Sequence, residues 1–321
     1  MRAMTRTEYG GPQVLRLADV STPAVGDDDV LIGVRASSIN PMDWHLLRGE
    51  PYLVRLSEGL RHPTSTSVGA DVAGTVVALG SSVSDFSVGD EVFGSAKGAL
   101  AEFALAKARH LVAKPANATF EQASCLPVAG VTAIQALRDG AQVQRGQSVL
   151  VNGASGGVGT FAVQLAKHYG ATVTGVCSAR NAELVSSLGA DHVVDYNVED
   201  FTSGTASFDV VIDAVGNRRL SDLRRVVTRN GTVVIVAGAA GKWVRPMALM
   251  LKATVTSPFV RQRLHPVMAK ITATDLQSLA EMVTTGSIIS VVDRTYALSE
   301  SADALAYLET GRARGKVVIT I

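Results

Sequence analysis

Ser148-Val-Leu-Val-Asn-Gly-Ala-Ser-Gly-Gly-Val-Gly-Thr160 passes from a short apolar run through a cluster of glycines into a helical pattern. It reads as strand, turn, helix. Val149 to Val151 follow the polar turn 144–147 and suit a strand buried in a parallel sheet. Beyond the glycines, Val158, Phe161, Ala162, Leu165, Ala166 and Tyr169 recur at helical spacing, and Gly170 is placed to end the helix. The candidate cradle is Gly153, Ala154, Ser155, Gly156, Gly157, Val158 and Gly159. Its glycines clear side chains away, so a dinucleotide pyrophosphate can lie on the free N–H groups of the first helical turn. One place departs from the G-x-G-x-x-G pattern: Gly156 and Gly159 fill the second and third positions, but Ala154 holds the first. Glycines also mark ordinary tight turns, so the flanking strand and helix carry the reading.

Outward from this stretch the same period repeats. Apolar strands at 149–151, 172–176, 192–194, 210–214 and 232–236 alternate with helical patterns at 158–169, 181–188 and 218–228, and 253–256 is a sixth candidate strand. That alternation predicts a doubly wound parallel sheet. Residues 1 to about 115 are β-rich instead, with segments at 30–39, 71–79, 91–94 and 100–105 between Gly, Pro, Ser and Asp turns, which predicts a partly open barrel. Within it, 38–49 reads as a loop running into a short helix, and 50–67 as the kind of long polar loop that borders a site. The tail, with helical patterns at 275–285 and 299–310 and strands near 291–293 and at 316–321, breaks the alternation and suits a return to the first domain.

The 321 residues suffice for two cores, and 47% hydrophobic with 18% charged residues excludes a disordered or fibrous chain. A formal charge of +1 leaves no electrostatic footprint for nucleic acid or anionic lipid, so a small molecule is the expected partner. The first residues contain no apolar signal core and no window holds eighteen uninterrupted apolar residues, so no membrane association and a cytoplasmic location are expected. Cys125 and Cys177 are too few for a disulfide scaffold or a Cys-rich zinc lobe, and the six histidines form no short ligand spacing. No metal is expected, although distant ligands can converge in a fold.

The end of the second strand bears on the cofactor. NAD sites place an acidic residue there for the adenosine 2′-hydroxyl, whereas NADP sites supply cations. Here Cys177 is followed by Ser178-Ala-Arg180, with no carboxylate. Ser178 can donate to a phosphate oxygen and Arg180 can make a charge-assisted contact, so NADPH is the expected cofactor. The alternative is that Arg180 decorates a solvated loop.

Gly69-Ala-Asp-Val-Ala-Gly74, Val88-Gly-Asp-Glu-Val92 and Ala99-Leu-Ala-Glu-Phe103, followed by the Ala154-to-Gly159 turn and by Gly315-Lys316 in the last strand, resemble the medium-chain dehydrogenase/reductase superfamily. Within it the chain is most similar to the zinc-independent quinone oxidoreductase branch. The resemblance implies an α/β protein with a GroES-like β-barrel catalytic domain at 1–120, completed by 265–321, and a Rossmann NADPH-binding domain at 121–264. It implies an active site in the cleft between these domains and a homodimer. Zinc-dependent members carry Cys and His ligands where this chain has Asn40 and Ala70. A zinc ion contributes several kcal/mol by polarising a carbonyl. Without it, acceptors already electrophilic, quinones or α,β-unsaturated carbonyls, are the fitting substrates, because hydride addition leaves a delocalised oxyanion that a hydrogen-bond donor stabilises.

By resemblance, Asn40 faces nicotinamide and substrate as that donor; its alternative is a turn former ahead of Pro41. His45 stands where quinone reductases often have Tyr, and is either a proton relay or a residue on the polar face of a short helix. Tyr52 is a further donor. For the cofactor, Thr132 matches a position near the nicotinamide amide, Tyr196 one along the adenosine-phosphate end, and Val215-Gly216 and Gly238-Ala239 follow the fourth and fifth strands. Phe259 can wall the nicotinamide pocket, and Lys316 is expected to be structural or a solvated charge. An NADPH-binding sensor or interaction protein with vestigial reductase activity is the alternative function. A short-chain dehydrogenase lacks support, because no Tyr-x-x-x-Lys pair follows the Rossmann pattern.

Overall fold

The computed structural model describes residues 1–205, 207–236 and 245–321. The chain divides into two compact units, Met1–Val131 with Ile271–Ile321, and Thr132–Lys270. In the first, β1 (Arg2–Thr5) and β2 (Arg16–Asp19) form an antiparallel pair. The long strand β3 (Asp29–Ile39) pairs antiparallel with both β4 (Asp71–Leu79) and β6 (Phe103–Lys107), and β5 (Glu91–Ser95) joins β4 to β7 (Leu111–Ala113). Val30, Ile32, Val72, Val76 and Val92 alternate inward from these strands to form a core. The expected strand at 100–105 begins later, at Phe103, because Leu100 and Ala101 are spent on bridges to Met4 and Ala3 of the first strand.

The second unit is a six-stranded parallel sheet made of β8 (Ser148–Asn152), β9 (Thr172–Cys177), β10 (His192–Asp195), β11 (Phe208–Asp213), β12 (Val227–Ile235) and β13 (Arg263–Pro266). Their order, β10-β9-β8-β11-β12-β13, is the Rossmann order, with the direction reversing between β8 and β11. Val149, Leu150 and Val151 are buried on both faces, which is why the strand reads as a continuous apolar run.

The sixth strand corrects the sequence expectation. Residues 253–256 are the last turn of the helix Arg245–Thr256, and the strand is Arg263–Pro266, whose one buried apolar residue is Leu264. The helical pattern expected at 218–228 likewise ends early: the helix is Leu220–Arg225, and Val227 already pairs with Phe208.

The tail rejoins the first unit. There β15 (Lys316–Thr320) lies between β14 (Val292–Ala297), its parallel partner, and β3, its antiparallel one. Arg48 grips Glu309 through two bonds of 2.7 and 2.8 Å, tying the helix Pro41–Arg48 to the helix Ser301–Glu309. The unit boundaries fall at 131/132 and 270/271, not at 120/121 and 264/265 as expected. Residues 121–131 stay with the barrel because Val128 N–H donates to Asp71 at 3.0 Å, and 265–270 stay with the parallel sheet because β13 is its sixth strand.

Candidate active site

In the second unit the turn after β8 explains its own departure from the fingerprint. The left-handed conformation falls on Gly153, at φ +85°, one residue before Ala154. Ala154 is fully buried, and Gly175 on β9 leaves room for its methyl: a Cβ on Gly175 would stand 3.1 Å from that of Ala154 and 2.4 Å from Val185. The helix Gly157–His168 starts from Gly156 without a side-chain cap, and its first intrahelical bond runs from Thr160 N–H to the Gly156 carbonyl at 2.9 Å. The N–H groups before it have no intrahelical acceptor, and Ser155, Gly156, Gly157 and Val158 are only partly covered. That is the chemistry of an anion cradle.

Buried amides brace it. Asn181 donates to Ser155 Oγ at 2.9 Å while its own Oδ1 is buried without a partner among the described residues. Asn152 donates to Asp213 Oδ1 at 2.8 Å and to Asn217 at 3.0 Å, joining the ends of β8 and β11. Burial pushes the Asp213 carboxyl up. Val215 and Gly216 donate their N–H groups to Asp213 at 3.3 and 3.0 Å, so these two shape the loop from within instead of offering donors to a ligand.

The other cofactor candidates divide by exposure. Ser178 is half-buried and Arg180 exposed, both just beyond β9, and Tyr196 lies beside them, 51% exposed, with its N–H on the Cys177 carbonyl at 3.1 Å. Thr132 is buried in the helix Val131–Gln135. Phe259 is 84% exposed, so it packs in no core within its unit. Gly238 and Ala239 lie outside the described residues.

In the first unit, three adjacent strands of one sheet bring a polar cluster together. The register Val317↔Ile39 sets Lys316 beside Asn40, and β4, on the other side of β3, begins at Asp71. Asn40 Nδ2 donates to Asp71 Oδ2 at 2.8 Å, as does Ser38 Oγ at 2.7 Å. The Lys316 ammonium donates to Asn40 Oδ1, to the Ile39 carbonyl at 3.2 Å and to Asp71 at 3.4 Å. Asn40 is 2% exposed, Asp71 0% and Lys316 3%. Lys316 is therefore a buried cation, not a solvated one, and the sequence held no local signal for it: its partners lie more than two hundred residues away. Asp71 had a signal, its place in the Gly69-to-Gly74 motif.

Asn40 caps the helix Pro41–Arg48, its N–H donating to Asp43 Oδ2 at 2.7 Å. Burial raises the Asp43 carboxyl to about 7. His45, half-buried and stacked on Trp44, bonds the Glu50 carbonyl through Nδ1 at 2.8 Å. A carbonyl only accepts, so Nδ1 carries the hydrogen. Burial lowers the pKa of this imidazole, which favours its neutral form over the imidazolium. Tyr52 sits under the Arg55 guanidinium, 4.8 Å from its ring centroid, with Tyr9 at 4.4 Å from the same group.

The donor set at Asn40 does not fit zinc. Ala70 offers a methyl, Asn40 Oδ1 faces an ammonium, and Asp71 already accepts from Ser38, Asn40, Lys316 and Val128. Among the described residues no group of three or more His, Cys, Asp or Glu side chains stands ready to hold a metal ion.

Comparison with known proteins agrees with this architecture. Two family models match, one described as "Alcohol dehydrogenase GroES-like domain" over residues 26–116 and one as "Zinc-binding dehydrogenase" over residues 188–319. The chain is 35% identical to the 2-methylene-furan-3-one reductase of Solanum lycopersicum over 99% of its own length and 79% of the relative's. It is also 35% identical to the NADPH-dependent alkenal/one oxidoreductase, chloroplastic, of Arabidopsis thaliana, with the same coverage. The solved quinone oxidoreductase of Coxiella burnetii superposes with a TM-score of 0.88 at 30% identity, over 100% of this chain and 99% of that one. With the Rossmann order, the uncapped phosphate turn and the returning last strand on the page, the chain belongs to the medium-chain dehydrogenase/reductase superfamily, in its quinone oxidoreductase branch.

Proposed function

We propose that the protein is an NADPH-dependent reductase that passes hydride to a quinone or an α,β-unsaturated carbonyl without zinc. The observation that carries the reading is the turn at 153–159, whose residues 155–158 are only partly covered at an uncapped helix start, with the Asn181 Oδ1 beside it lacking a partner among the described residues. NADPH, when bound, supplies the hydride. The helix N-terminus holds the pyrophosphate, and Ser178 and Arg180 hold the 2′-phosphate. The remaining Nδ2 hydrogen of Asn40 donates to the oxygen that gains charge as hydride reaches carbon, which stabilises that charge without a Lewis acid. The relatives named for a furanone and for alkenals and enones act on acceptors of this class. NADPH oxidation measured against quinones, enones and simple aldehydes, with and without a chelator, tests the proposal. Turnover of quinones or enones that a chelator leaves unchanged is expected; loss on chelation, or turnover of simple alcohols alone, overturns it.

A second reading, an NADPH-binding sensor or interaction protein with vestigial turnover, draws on the depth at which Asn40 is buried. It predicts that Asn40→Ala and His45→Ala leave a weak turnover unchanged while NADPH still binds. We propose a homodimer as well, since β13 is an edge strand of the parallel sheet; a monomeric mass by light scattering would exclude it. No described helix is long and apolar enough to cross a membrane. A cytoplasmic location finds no support in the relatives' names, and the Arabidopsis protein is described as chloroplastic.

A further inference from the structure

A carboxamide is nearly symmetric in shape, so an active-site asparagine acts as a donor only if something decides which end is nitrogen. At Asn40 two opposite charges decide it. The Asp71 carboxylate takes one Nδ2 hydrogen at 2.8 Å and the Lys316 ammonium donates to Oδ1. Turned over, the amide would set its oxygen against a carboxylate and its NH₂ against an ammonium, both in a site that excludes water.

The two charges are themselves held. Lys316 has three N–H groups and three acceptors, Ile39, Asn40 and Asp71, so the ammonium has no hydrogen left over to pass to a substrate. Asp71 is fixed by Ser38 Oγ at 2.7 Å and by Val128 N–H at 3.0 Å. Gly315, at φ +92°, sets the entry to β15: a Cβ there would stand 2.3 Å from the Val291 carbonyl. The cation also draws electron density through the amide, which makes the remaining Nδ2 hydrogen a better donor.

We infer that Lys316 and Asp71 are positioning residues that fix the Asn40 carboxamide with its nitrogen toward Asp71, leaving one hydrogen of that nitrogen for the substrate oxygen. The inference rests on the reading of Asn40 as the oxyanion donor. It differs from a stabilising role for the ion pair, because it makes the effect of Lys316 on turnover depend on Asn40.

The test is a double-mutant cycle on the full-length protein, reading kcat, KM for a quinone or enone, and NADPH affinity. Lys316→Met should lower kcat by about 10- to 100-fold, as removal of a group that orients a reacting ligand typically does. NADPH affinity should stay within about twofold, since the turn at 153–159 belongs to the second unit and Lys316 to the first. Asn40→Ala should lower kcat by about 100-fold, and adding Lys316→Met to it should lower kcat no further. Equal losses from Lys316→Met with and without Asn40 present would overturn the inference in favour of a merely structural pair. Asn40→Ala with a large loss but Lys316→Met with none would overturn it while leaving the donor reading standing. An unchanged kcat in Asn40→Ala removes the donor reading and the inference together. If Lys316→Met does not fold, Asp71→Asn takes its place: it removes the charge that orders the amide while keeping a side chain of the same shape. The same loss in kcat and the same dependence on Asn40 are expected, and a loss independent of Asn40 overturns the inference.

Discussion

Gly159 lies so close under Gly153 that a Cβ on it would stand 2.0 Å from the Gly153 carbonyl oxygen. At Gly156 the nearest atom to such a Cβ is the same oxygen at 3.4 Å, an ordinary contact. The two glycines of one fingerprint thus do different work. Gly159→Ala should force the turn apart and cost roughly 2 kcal/mol or more of stability. Gly156→Ala should fold with an unchanged melting temperature yet bind NADPH at least about tenfold more weakly, because its methyl projects where the pyrophosphate must approach. Calorimetry and fluorescence titration of both variants distinguish these outcomes.

Arg180 is exposed, so solvent partly screens the contact proposed for it with a 2′-phosphate. Arg180→Ala should raise KM for NADPH by about tenfold and leave NADH unchanged. A ratio of the two that does not move would return Arg180 to the role of a solvated loop residue.

Asp43 gives the fold a pH dependence whose sign is fixed. Its folded pKa of about 7 lies above the ordinary 3.8, mainly through burial, with the Asp71 charge adding to the rise and Lys316 and Arg6 opposing it. The folded protein therefore holds a proton that the unfolded chain releases. The stability this contributes is complete below about pH 4 and is lost as the pH rises through about 7. Asp43→Asn keeps an acceptor for the Asn40 N–H and cannot titrate. Between about pH 4.5 and about 8 the unmodified protein should lose stability relative to this variant, as read from urea midpoints. His45, lowered by burial, contributes with the opposite sign, but it is present in both proteins and drops out of the difference. Parallel curves would show that Asp43 ionises freely in the fold.

Both cysteines are buried, and burial raises Cys125 to about 12 and Cys177 to about 11. Neither should react with a thiol reagent at neutral pH until denaturant is added, because the thiolate is the reacting form. Rapid labelling of either in the folded protein would contradict the burial.

The parts of the fold visible in the sequence were those in which local pattern and tertiary burial agree. Val149 to Val151 form an apolar run because β8 is central in a parallel sheet, and the acid missing after Cys177 is a local feature of one strand end. Residues 253–256 misled because Thr254, Val255 and Thr256 carry β-branched side chains, whereas packing of Ala253 into the core keeps them helical. The true sixth strand, Arg-Leu-His-Pro, has little apolar content because an edge strand is covered less. At the candidate site, Asn40 stood out through the family resemblance, whereas its place before Pro41 suggested only a turn former. Asp71 and Lys316 lay in motifs that carry the resemblance, but their pairing with Asn40 was not visible, because strand order, not chain order, brings them to it.

That strand order also sets a sequence of events during synthesis. β15 lies between β14 and β3, and it follows the whole of the second unit in the chain. The ribosome therefore releases every residue of the nucleotide-binding unit while the first sheet still has an open flank beside β3. Asn40 is made early and waits for its ammonium until β15, the last strand, has emerged, so every strand of the parallel sheet leaves the ribosome before the amide is fixed.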